Sequence, residues 1–520
     1  MSDHPLLLGI DLGTSSVKAA LYGLDGTPSG SAVAPYAIVR SRPGRAEQRP
    51  DGWWIALVDA ARRALGAAAR RHGSSGRRAQ VTAIAVAGQM HGTVLVGRDH
   101  RPVGPAIIWS DQRAGDEAAA ITDEIGADRL IRLAGGPLAS GFQAATIRWL
   151  ATHEPELLDK TASILCPKDY IRLRLTGELA TDASDGSGTG FFNVADRAWA
   201  PDLVAASRAR FDALPSVLES TAVAGKLLAV AARQLGLQPG TPVIVGGADS
   251  PVGLLASGLI RAQGFLLTIS SGGQLMIPVG DPATDGTGRS HTFCSVVPPD
   301  SGLAAWYRMV AVLSAGLALQ WLRDSVLELA GPDAYDVMLG WTDGVPVGSR
   351  GLVFLPYLAG ERNPHLDPAA RGVLLGLTAA HGRPELVRAV VEGITLGCLD
   401  AAHALWLDGR QPSEVIVAGG GGRNIHWLRI VADVFGLPVR RLETAEQAAA
   451  GACLLAGAGV GAFDLAETAA RWARLGAPIQ PDPRHHERYQ AVFDVFRDGY
   501  PQLRGTFERL RSIGNDRASS

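Results

Sequence analysis

Asp249 is the acidic residue whose surroundings best suit proton transfer. It follows a short apolar run at 242–245 and two glycines, Gly246 and Gly247, and Pro251 stands where the first turn of a helix would begin. An aspartate in this position usually caps the helix. It could also accept the proton of a substrate hydroxyl, because such a hydroxyl needs a base and the glycines would let the substrate approach. Position alone leaves both alternatives open.

A second aspartate, Asp11, precedes a polar turn that could hold phosphate. The segment 11–18 reads DLGTSSVK. Its backbone N–H groups, with Thr14 and Ser15, could cradle phosphate, Lys18 could reach an oxygen, and Asp11 could orient hydrated Mg²⁺. The alternative is a plain hairpin. The chain has no GxxxxGK[ST] loop, which excludes a P-loop kinase at the motif level. Glycine stands two residues after Asp11, where an aspartyl-phosphate enzyme would need another aspartate.

Three further groups of residues could bind ligands at the ends of apolar runs. The first group is Gln89, Met90 and His91. The second group is Trp109, Asp111 and Arg113. The third group is the four glycines 419–422 with Asn424. A tryptophan face stacks on sugar C–H groups, and charged side chains bind hydroxyls. The alternatives are a satisfied structural histidine in the first group and a surface ion pair beside a core tryptophan in the second. The glycines could admit the flat ring of adenine.

The elements that must position these residues are short strands, glycine-rich turns and helices. The pattern predicts hairpins at 6–22 and 265–279, strands at 81–87, 242–245 and 415–418, and helices at 53–71 and 425–435. The two hairpins, half a chain apart, suggest a duplicated architecture. The alternation of strand, turn and helix predicts an α/β fold, in which ligands bind at the carboxyl ends of the strands.

Composition bounds the class of protein. The 520 residues are 47% apolar and 19% charged with a net charge of −2, which predicts a well-buried globular protein without affinity for nucleic acid or anionic membranes. The N-terminus has no basic leader and no apolar run reaches about 20 residues, so a cytoplasmic location is expected. Four widely spaced cysteines predict buried free thiols: Cys166, Cys294, Cys398 and Cys453.

Taken together, these motifs resemble the FGGY carbohydrate kinases, and within them the xylulokinases. The resemblance covers about residues 6–460. The matching segments are GIDLGTSSVK at 9–18, AGQMHG at 87–92, IIWSDQR at 107–113, KDYIRLRLTGELATDASDGSGT at 168–189, GGADSPVG at 246–253, FLPYLAGERNPH at 354–365 and AGGGGRNIHW at 418–427.

The resemblance implies two ribonuclease H-like domains of the actin and hexokinase type, with a central cleft for ATP and sugar. We expect an N-terminal domain at 1–258, a C-terminal nucleotide-binding domain at 259–504 and a polar tail at 505–520. The implied reaction transfers the γ-phosphate of ATP, with Mg²⁺, to a ketose, converting D-xylulose to D-xylulose 5-phosphate. The implied partner is a small-molecule sugar, and a homodimer is the assembly to test.

The resemblance also assigns roles by position. Asp249 matches the catalytic base, and Asp11 and Asp249 lie near the metal. The predicted sugar contacts are Gln89, Met90, His91, Trp109, Asp111, Arg113 and Ser250. The predicted nucleotide contacts are Thr14, Ser15, Lys18, Ser271, Gly272, Gly420, Gly421 and Asn424.

Several positions depart from the family pattern. The second phosphate loop reads Ser270-Ser271-Gly272-Gly273 instead of Gly-Thr-Ser-Gly, and Ser250 replaces the asparagine usual in xylulokinases. Gln143 and Thr146 depart from the first family signature. These changes leave two alternatives open: a kinase of another sugar or polyol, such as ribulose or a hexulose, and a catalytically weak sugar-binding or regulatory homologue.

Overall fold

The computed structural model describes residues 5–71, 80–261, 264–407, 409, 411–444 and 446–515. Its strands are β1 (Leu6–Leu12), β2 (Ser16–Gly23), β3 (Pro28–Pro35), β4 (Glu47–Gln48), β5 (Val81–Gly88), β6 (Val94–Val96), β7 (Ala106–Ile107), β8 (Ser163–Leu165), β9 (Ala180–Asp182), β10 (Phe192–Asn193), β11 (Ala198–Trp199), β12 (Ser216–Leu218), β13 (Val223–Lys226), β14 (Pro242–Ala248), β15 (Phe265–Ile269), β16 (Gly273–Val279), β17 (His291–Cys294), β18 (Trp306–Val312), β19 (Val353–Leu355), β20 (Val373–Leu375), β21 (Val415–Gly419) and β22 (Val439–Arg441).

Its α-helices are α1 (Pro50–Arg71), α2 (Gly115–Ile125), α3 (Ala127–Ala134), α4 (Gln143–His153), α5 (Pro155–Asp159), α6 (Pro167–Thr176), α7 (Ala183–Gly186), α8 (Pro201–Ala206), α9 (Ala229–Leu235), α10 (Asp249–Ala256), α11 (Gly316–Trp321), α12 (Ala334–Gly340), α13 (Arg383–Ala402), α14 (Ile425–Phe435), α15 (Gln447–Gly459), α16 (Leu465–Trp472) and α17 (Pro483–Asn515). The predicted hairpins, strands and helices are all confirmed. No helix in the described ranges is long and apolar enough to cross a membrane.

The chain forms two compact units. Unit 1 comprises 1–261, 278–307 and 444–474, and unit 2 comprises 262–277, 308–443 and 475–520. Each unit contains an α/β sheet covered by helices, so the predicted fold class is confirmed.

Unit 1 is built on a six-stranded sheet in the order β13-β14-β5-β1-β2-β3. β1 pairs antiparallel with β2 across the hairpin and in parallel with β5, which pairs in parallel with β14. The carboxyl ends of β1, β5 and β14 therefore lie side by side at one edge of the sheet. That edge is where open α/β sheets bind ligands.

Strand β1 is buried on both faces of this sheet. Leu6, Leu8, Ile10 and Leu12 pack in a core with residues of α1, whereas Leu7 packs in a second core with residues of α10 and α15. Successive side chains of a strand point to opposite faces, so a continuous apolar run is what a strand between two helical layers requires.

Unit 2 repeats this arrangement. Its central strands run in the order β18-β16-β15-β21-β22. The hairpin β15–β16 is antiparallel, β15 pairs in parallel with β21, and β21 pairs in parallel with β22. Each unit therefore has a hairpin whose first strand lies beside a parallel strand ending in a glycine-containing turn. This similarity supports the duplicated architecture suggested by the two hairpins.

The contiguous domains predicted from the sequence do not match the two units. The predicted boundary near residue 260 lies beside the first crossing, but the chain returns to unit 1 at 278–307 and 444–474. One return is explained by α15, whose apolar residues complete a core with β1 and α10. The predicted polar tail from 505 begins inside α17, which continues to Asn515, and residues 516–520 lie outside the described residues.

Candidate active site

Asp11 and Asp249 lie at the same edge of the unit 1 sheet. In β1, Asp11 pairs with Ala87 of β5, and Ala248 of β14 pairs with Gly88. One strand separates the two aspartates, and two strand spacings amount to roughly 10 Å. Both side chains are half-buried. The tertiary structure thus brings to one edge of the sheet two carboxylates that are 238 positions apart in the sequence.

Both carboxyl groups have raised pKa values. Burial raises the pKa of Asp11 to about 6, with the charge of Lys18 opposing the shift and that of Glu446 adding to it. Burial and the negative charge of Asp11 raise the pKa of Asp249 to about 7, against the hydrogen bonds from Ser250. A group with a pKa near neutrality is suited to general acid–base catalysis.

The same pair of carboxylates fits a hydrated divalent cation. Among the described residues, no basic side chain lies within 4 Å of Asp11 or Asp249 to form an ion pair. Magnesium usually takes one or two protein carboxylates and keeps waters and phosphate oxygens as its other ligands. The donor set at this edge therefore fits Mg²⁺ without a closed cage of protein ligands.

The turn 13–16 is a closed hairpin turn with external support. Gly13 N donates to Ser16 O at 3.0 Å, and the Tyr36 hydroxyl donates to the carbonyls of Gly13 and Ser16. Lys18 forms an ion pair with Glu446 at 2.7 Å. These contacts fix the backbone of the turn.

Thr14 links the turn to Trp109. Trp109 Nε1 donates to Thr14 Oγ1 at 2.9 Å, and Gln48 Nε2 donates to Thr14 O at 2.6 Å. The Trp109 side chain stays 39% exposed, so its ring can meet a ligand. The predicted phosphate turn and the predicted sugar-stacking ring are thereby brought into direct contact within unit 1.

Gln89, Met90 and His91 follow β5 at the same edge. Gln89 is buried and donates to Gln48 Oε1 at 2.9 Å. His91 has a left-handed backbone (φ 68°), and its Nδ1 lies 2.5 Å from Gly188 O. Its ring stacks on Phe142 at 4.2 Å. These contacts fix the imidazole beside the sheet edge.

Tyr307 contacts Met90, and the sequence did not indicate this contact. Its hydroxyl donates to Met90 Sδ at 3.7 Å, and its side chain is fully buried. Burial and the charge of Asp249 raise the pKa of this tyrosine. No motif marks Tyr307, because it comes from a distant segment of the chain that returns to unit 1.

Asp111 and Arg113 form a buried ion pair. Arg113 donates to both Asp111 oxygens at 2.8 and 2.9 Å and to Glu47 at 2.5 Å. Asp111 also accepts from Ala46 N at 2.6 Å. These residues do form an ion pair beside a tryptophan. The burial is the reverse of the alternative given above, because the ion pair is buried and Trp109 is exposed. Both charges are engaged within the protein.

The glycines before Asp249 are required for packing. Gly246 has a φ of +80°, and a Cβ there would lie 1.9 Å from Val86 O, because β14 bulges against β5 at this point. A Cβ on Gly247 would lie 2.6 Å from Val296. The prediction that these glycines serve substrate approach is therefore replaced by a backbone explanation: the bulge re-aims the chain just before Asp249.

Asp249 does not cap helix α10. Ala248 occupies the cap position without a side-chain cap bond, and Asp249 is the first helical residue. Ser250 Oγ donates to Asp249 Oδ1 at 3.2 Å. The cap alternative is therefore wrong, which leaves the carboxylate without that structural explanation.

In unit 2, the predicted second phosphate loop is the turn between β15 and β16. Ser271 O accepts from Ala315 N at 3.0 Å and Leu317 N at 2.9 Å. A Cβ on Gly272 would lie 2.7 Å from Val312 O. The family pattern has a serine at the position of Gly272, and here the backbone packs too closely against Val312 to leave room for a side chain.

The glycines after β21 pack against Ile269. A Cβ would lie 2.4 Å from Ile269 O at Gly419 and 2.6 Å from Ile269 Cγ2 at Gly421, but at Gly420 the nearest atom is 3.9 Å away. Gly420 is exposed. Only Gly420 thus has open space in front of it for a flat ring.

Asn424 is engaged in the protein itself. Its Oδ1 accepts from His426 N and Trp427 N, which caps helix α14, and its Nδ2 donates to Asp336 at 2.8 Å. These bonds give the residue a structural role, and its predicted contact with adenine stays a prediction.

Comparisons with known proteins identify the family to which the chain is similar. The N-terminal domain model of the FGGY family of carbohydrate kinases matches residues 6–256, and the C-terminal domain model matches residues 281–460. The chain is 32% identical to a xylulose kinase of Bacillus subtilis, covering 98% of this chain and 99% of that protein. It is 32% identical to a xylulose kinase of Escherichia coli, covering 96% and 99%.

A solved structure shows the same fold. The gluconate kinase of Lactobacillus acidophilus superposes with a TM-score of 0.89 at 25% identity, covering 98% of this chain and all of the other. The chain belongs to the FGGY family of carbohydrate kinases.

Proposed function

We propose that the protein is an ATP-dependent kinase that converts D-xylulose to D-xylulose 5-phosphate, with Asp249 as general base. The observation that carries the proposal is the Asp249 carboxylate, which lies at the carboxyl edge of the unit 1 sheet and has a pKa of about 7. The similarity to xylulose kinases over nearly the whole chain supports D-xylulose as the acceptor.

Asp249 accepts the proton of the sugar hydroxyl as that oxygen forms a bond to the γ-phosphorus of ATP. The bond between the γ-phosphorus and the β,γ-bridging oxygen breaks, ADP leaves, and Asp249 then returns the proton to solvent. Phosphoryl transfer leaves little other chemistry for the protein, so catalysis consists of positioning and charge stabilisation. Mg²⁺ bound with ATP would neutralise charge that develops on the phosphates, and Asp11 and Asp249 are the residues that would hold it. Deprotonated Asp249 is the reactive form, because only the carboxylate can take the proton.

On the sugar side, Met90, His91 and the exposed ring of Trp109 are the proposed contacts. The fixed imidazole of His91 suits a hydrogen bond to a hydroxyl, and the Trp109 ring suits C–H groups of a sugar. Gln89, Asp111 and Arg113 are proposed to support these groups rather than to touch the sugar, because their bonds are made within the protein.

The nucleotide contacts proposed from the family resemblance are considered for each unit by itself. Unit 1 contributes Thr14, Ser15 and Lys18 of the first turn, and unit 2 contributes Ser271, Gly272, Gly420, Gly421 and Asn424. Lys18 forms an ion pair with Glu446 and would share its charge with a phosphate. Gly420 is the proposed position for the adenine ring.

Gluconate is the main competing acceptor, because a gluconate kinase is among the similar structures. Gluconate carries a carboxylate, which favours a cationic partner such as arginine. Arg113 is the arginine among the predicted sugar residues, and it donates to Asp111 and Glu47 instead. This arrangement supports a neutral ketose over an acid sugar.

The test is a coupled ADP-release assay with D-xylulose, D-ribulose, a hexulose, gluconate and glycerol at saturating MgATP. We expect kcat/KM for D-xylulose to exceed each of the others at least about tenfold, a difference of about 1.4 kcal/mol in barrier. A higher kcat/KM with another acceptor would reassign the substrate within the same chemistry. No ADP release with any acceptor would support the catalytically weak homologue instead.

The cytoplasmic location expected from the sequence stays a prediction, and a homodimer stays the assembly to test. The four cysteines are free and buried in the structure, as expected for thiols without a disulfide role. Light scattering on the purified protein measures the oligomeric state directly, and a monomeric mass would contradict the homodimer.

A further inference from the structure

The segment 166–189 buries a cluster of ionisable side chains in unit 1. Lys168 Nζ lies 2.5 Å from Asp169, 2.9 Å from Asp182 and 3.4 Å from Asp185, and Arg172 lies 2.8 Å from Asp169. All five side chains are fully buried. The predicted sugar and nucleotide contacts include none of them, so the cluster needs a separate explanation.

A metal is not required to explain this cluster. Cys166, Asp169 and Asp185 have ligand atoms within 4.8 Å of one another. However, the Lys168 ammonium already lies among the carboxylates and supplies the positive charge there. Burial raises the pKa of the Cys166 thiol well above its ordinary value, which disfavours the thiolate that binds metals.

Such a cluster is a poor way to stabilise a fold. Moving charges out of water costs more than a buried ion pair commonly returns, and apolar residues of similar volume are often as stabilising. A buried cluster of charged groups is better explained if it holds neighbouring groups in a defined geometry. Burial would raise the pKa of Asp182, but the charge of Lys168 and hydrogen bonds from Ser184, Lys168 and Ser220 hold it below its ordinary value. Asp182 is thus a fixed carboxylate acceptor.

Asp182 holds Ser184 through two hydrogen bonds. Its Oδ2 accepts from Ser184 N at 2.9 Å and from Ser184 Oγ at 2.5 Å, and it also accepts from Ser220 Oγ at 2.8 Å. Because the Ser184 hydroxyl donates its hydrogen to Asp182, its oxygen lone pairs face the other way and can only accept.

The acceptor side of Ser184 meets the chain just before Asp249. Ala248 N donates to Ser184 Oγ at 3.0 Å. Ala248 is the last residue of β14 and follows the bulge at 245–246, where the register of β14 against β5 shifts. The peptide before Asp249 is therefore oriented by a hydrogen bond to Ser184 as well as by the sheet.

We propose that Ser184, held by Asp182 and Lys168, is a positioning residue that fixes the direction of the Asp249 side chain. The connection runs from the Lys168 ammonium through the Asp182 carboxylate and the Ser184 hydroxyl to the Ala248 amide. This inference rests on the proposed role of Asp249 as general base. Ser184 acts on the backbone and not on the substrate, so it affects turnover more than binding.

The experiment compares Ser184→Ala with Ser220→Ala in the full-length protein. Both variants remove one hydroxyl bond to the same Asp182 oxygen, but only Ser184→Ala also removes the acceptor of Ala248 N. A positional error of about 1 Å at a reacting group costs on the order of 100-fold in rate. We expect Ser184→Ala to lower kcat about 10- to 100-fold while KM for sugar and ATP changes less than about threefold. Ser220→Ala should keep kcat within about threefold of wild type.

Two further variants separate the possible outcomes. Ser184→Cys keeps a side chain of similar size with a weaker hydrogen-bonding group, so its kcat should lie between wild type and Ser184→Ala; it also serves if Ser184→Ala fails to fold. In the Asp249→Asn background, Ser184→Ala should have no further effect on kcat, because the group that it positions is already lost.

The results distinguish this inference from the proposed function. If Asp249→Asn abolishes turnover but both Ser184 variants keep wild-type kcat, the positioning role is wrong and the base stands. If Ser220→Ala loses as much kcat as Ser184→Ala, the hydrogen bond from Ala248 N to Ser184 has no specific effect on turnover and the inference is overturned. If Asp249→Asn itself keeps wild-type kcat, the proposed base is wrong, whatever Ser184 does.

Discussion

Asp249→Asn should separate the catalytic value of this residue from its effect on stability. The substitution keeps the size of the side chain and removes its ability to accept a proton. General-base catalysis contributes roughly 10²- to 10⁴-fold, or about 3–5 kcal/mol of barrier. We therefore expect kcat with D-xylulose to fall by about that factor.

The same substitution should stabilise the folded protein at alkaline pH. Burial and the charge of Asp11 raise the pKa of Asp249 from 3.8 to about 7, so folding disfavours the charged form. Three pKa units correspond to about 4 kcal/mol, which the partial exposure of the side chain reduces to about 2 kcal/mol. The destabilisation by the carboxylate develops as the pH rises from about 4 to about 7 and is complete above that range. The asparagine avoids it.

The assays are ADP release for kcat and thermal unfolding without ligands at pH 8 and pH 5. We expect Tm at pH 8 to rise by about 2–4 °C. The gain should shrink to about two-fifths at pH 5, because the unfolded carboxyl is already mostly ionised there while the folded one is still protonated, so the destabilisation has developed only over the interval from about pH 4 to pH 5. Asp212→Asn is the matched control, because that carboxylate is 80% exposed and lies away from the site in the sequence. It should change neither quantity.

Two results would refute this reasoning. Wild-type turnover in Asp249→Asn would show that the residue is not the base. A lower Tm together with lost turnover would show that the carboxylate supports the fold, so that the loss of activity could not be assigned to proton transfer.

Two other predictions concern pH and the glycine turn of unit 2. Because Asp249 must be deprotonated and its pKa is about 7, kcat/KM should fall about tenfold per pH unit below about pH 6 and level off above 8; a rate profile that stays flat down to pH 5 would contradict it. Gly420→Ala should keep Tm, because its Cβ would face open space. It should raise KM for ATP about tenfold, because the adenine ring is proposed to occupy that space. Gly421→Ala should lower Tm, because its Cβ would lie 2.6 Å from Ile269. Equal effects of the two alanines on KM and Tm would contradict a nucleotide role for Gly420.

Local patterns were enough to predict the elements and the two central carboxylates. Apolar runs ending in glycine or small polar residues gave the correct strands, such as β5 and β14, because a strand buried on both faces must be continuously apolar. The family motifs gave the correct family, and the pairing of β1, β5 and β14 then brought Asp11 and Asp249 to one edge.

Other features depend on distant neighbours that a local pattern does not show. Gly246 and Gly247 are glycines because Val86 and Val296 leave no room for a Cβ. Asp111 and Arg113 form an ion pair inside the protein, and their predicted contact with the sugar stays a prediction. Tyr307 carries no signal at all, because its contact with Met90 joins segments that are 217 positions apart.

By itself, the sequence determined the family, the α/β class, the two hairpins and the identity of the acid–base candidates, since these depend on residue type, spacing and short-range periodicity. Only the tertiary structure decided which polar groups are engaged in the protein, where the chain returns to unit 1, and how Ser184 reaches the amide before Asp249. The physical reason is that hydrogen bonds, burial and pKa shifts depend on distances between residues far apart in the chain, and no local pattern encodes those distances.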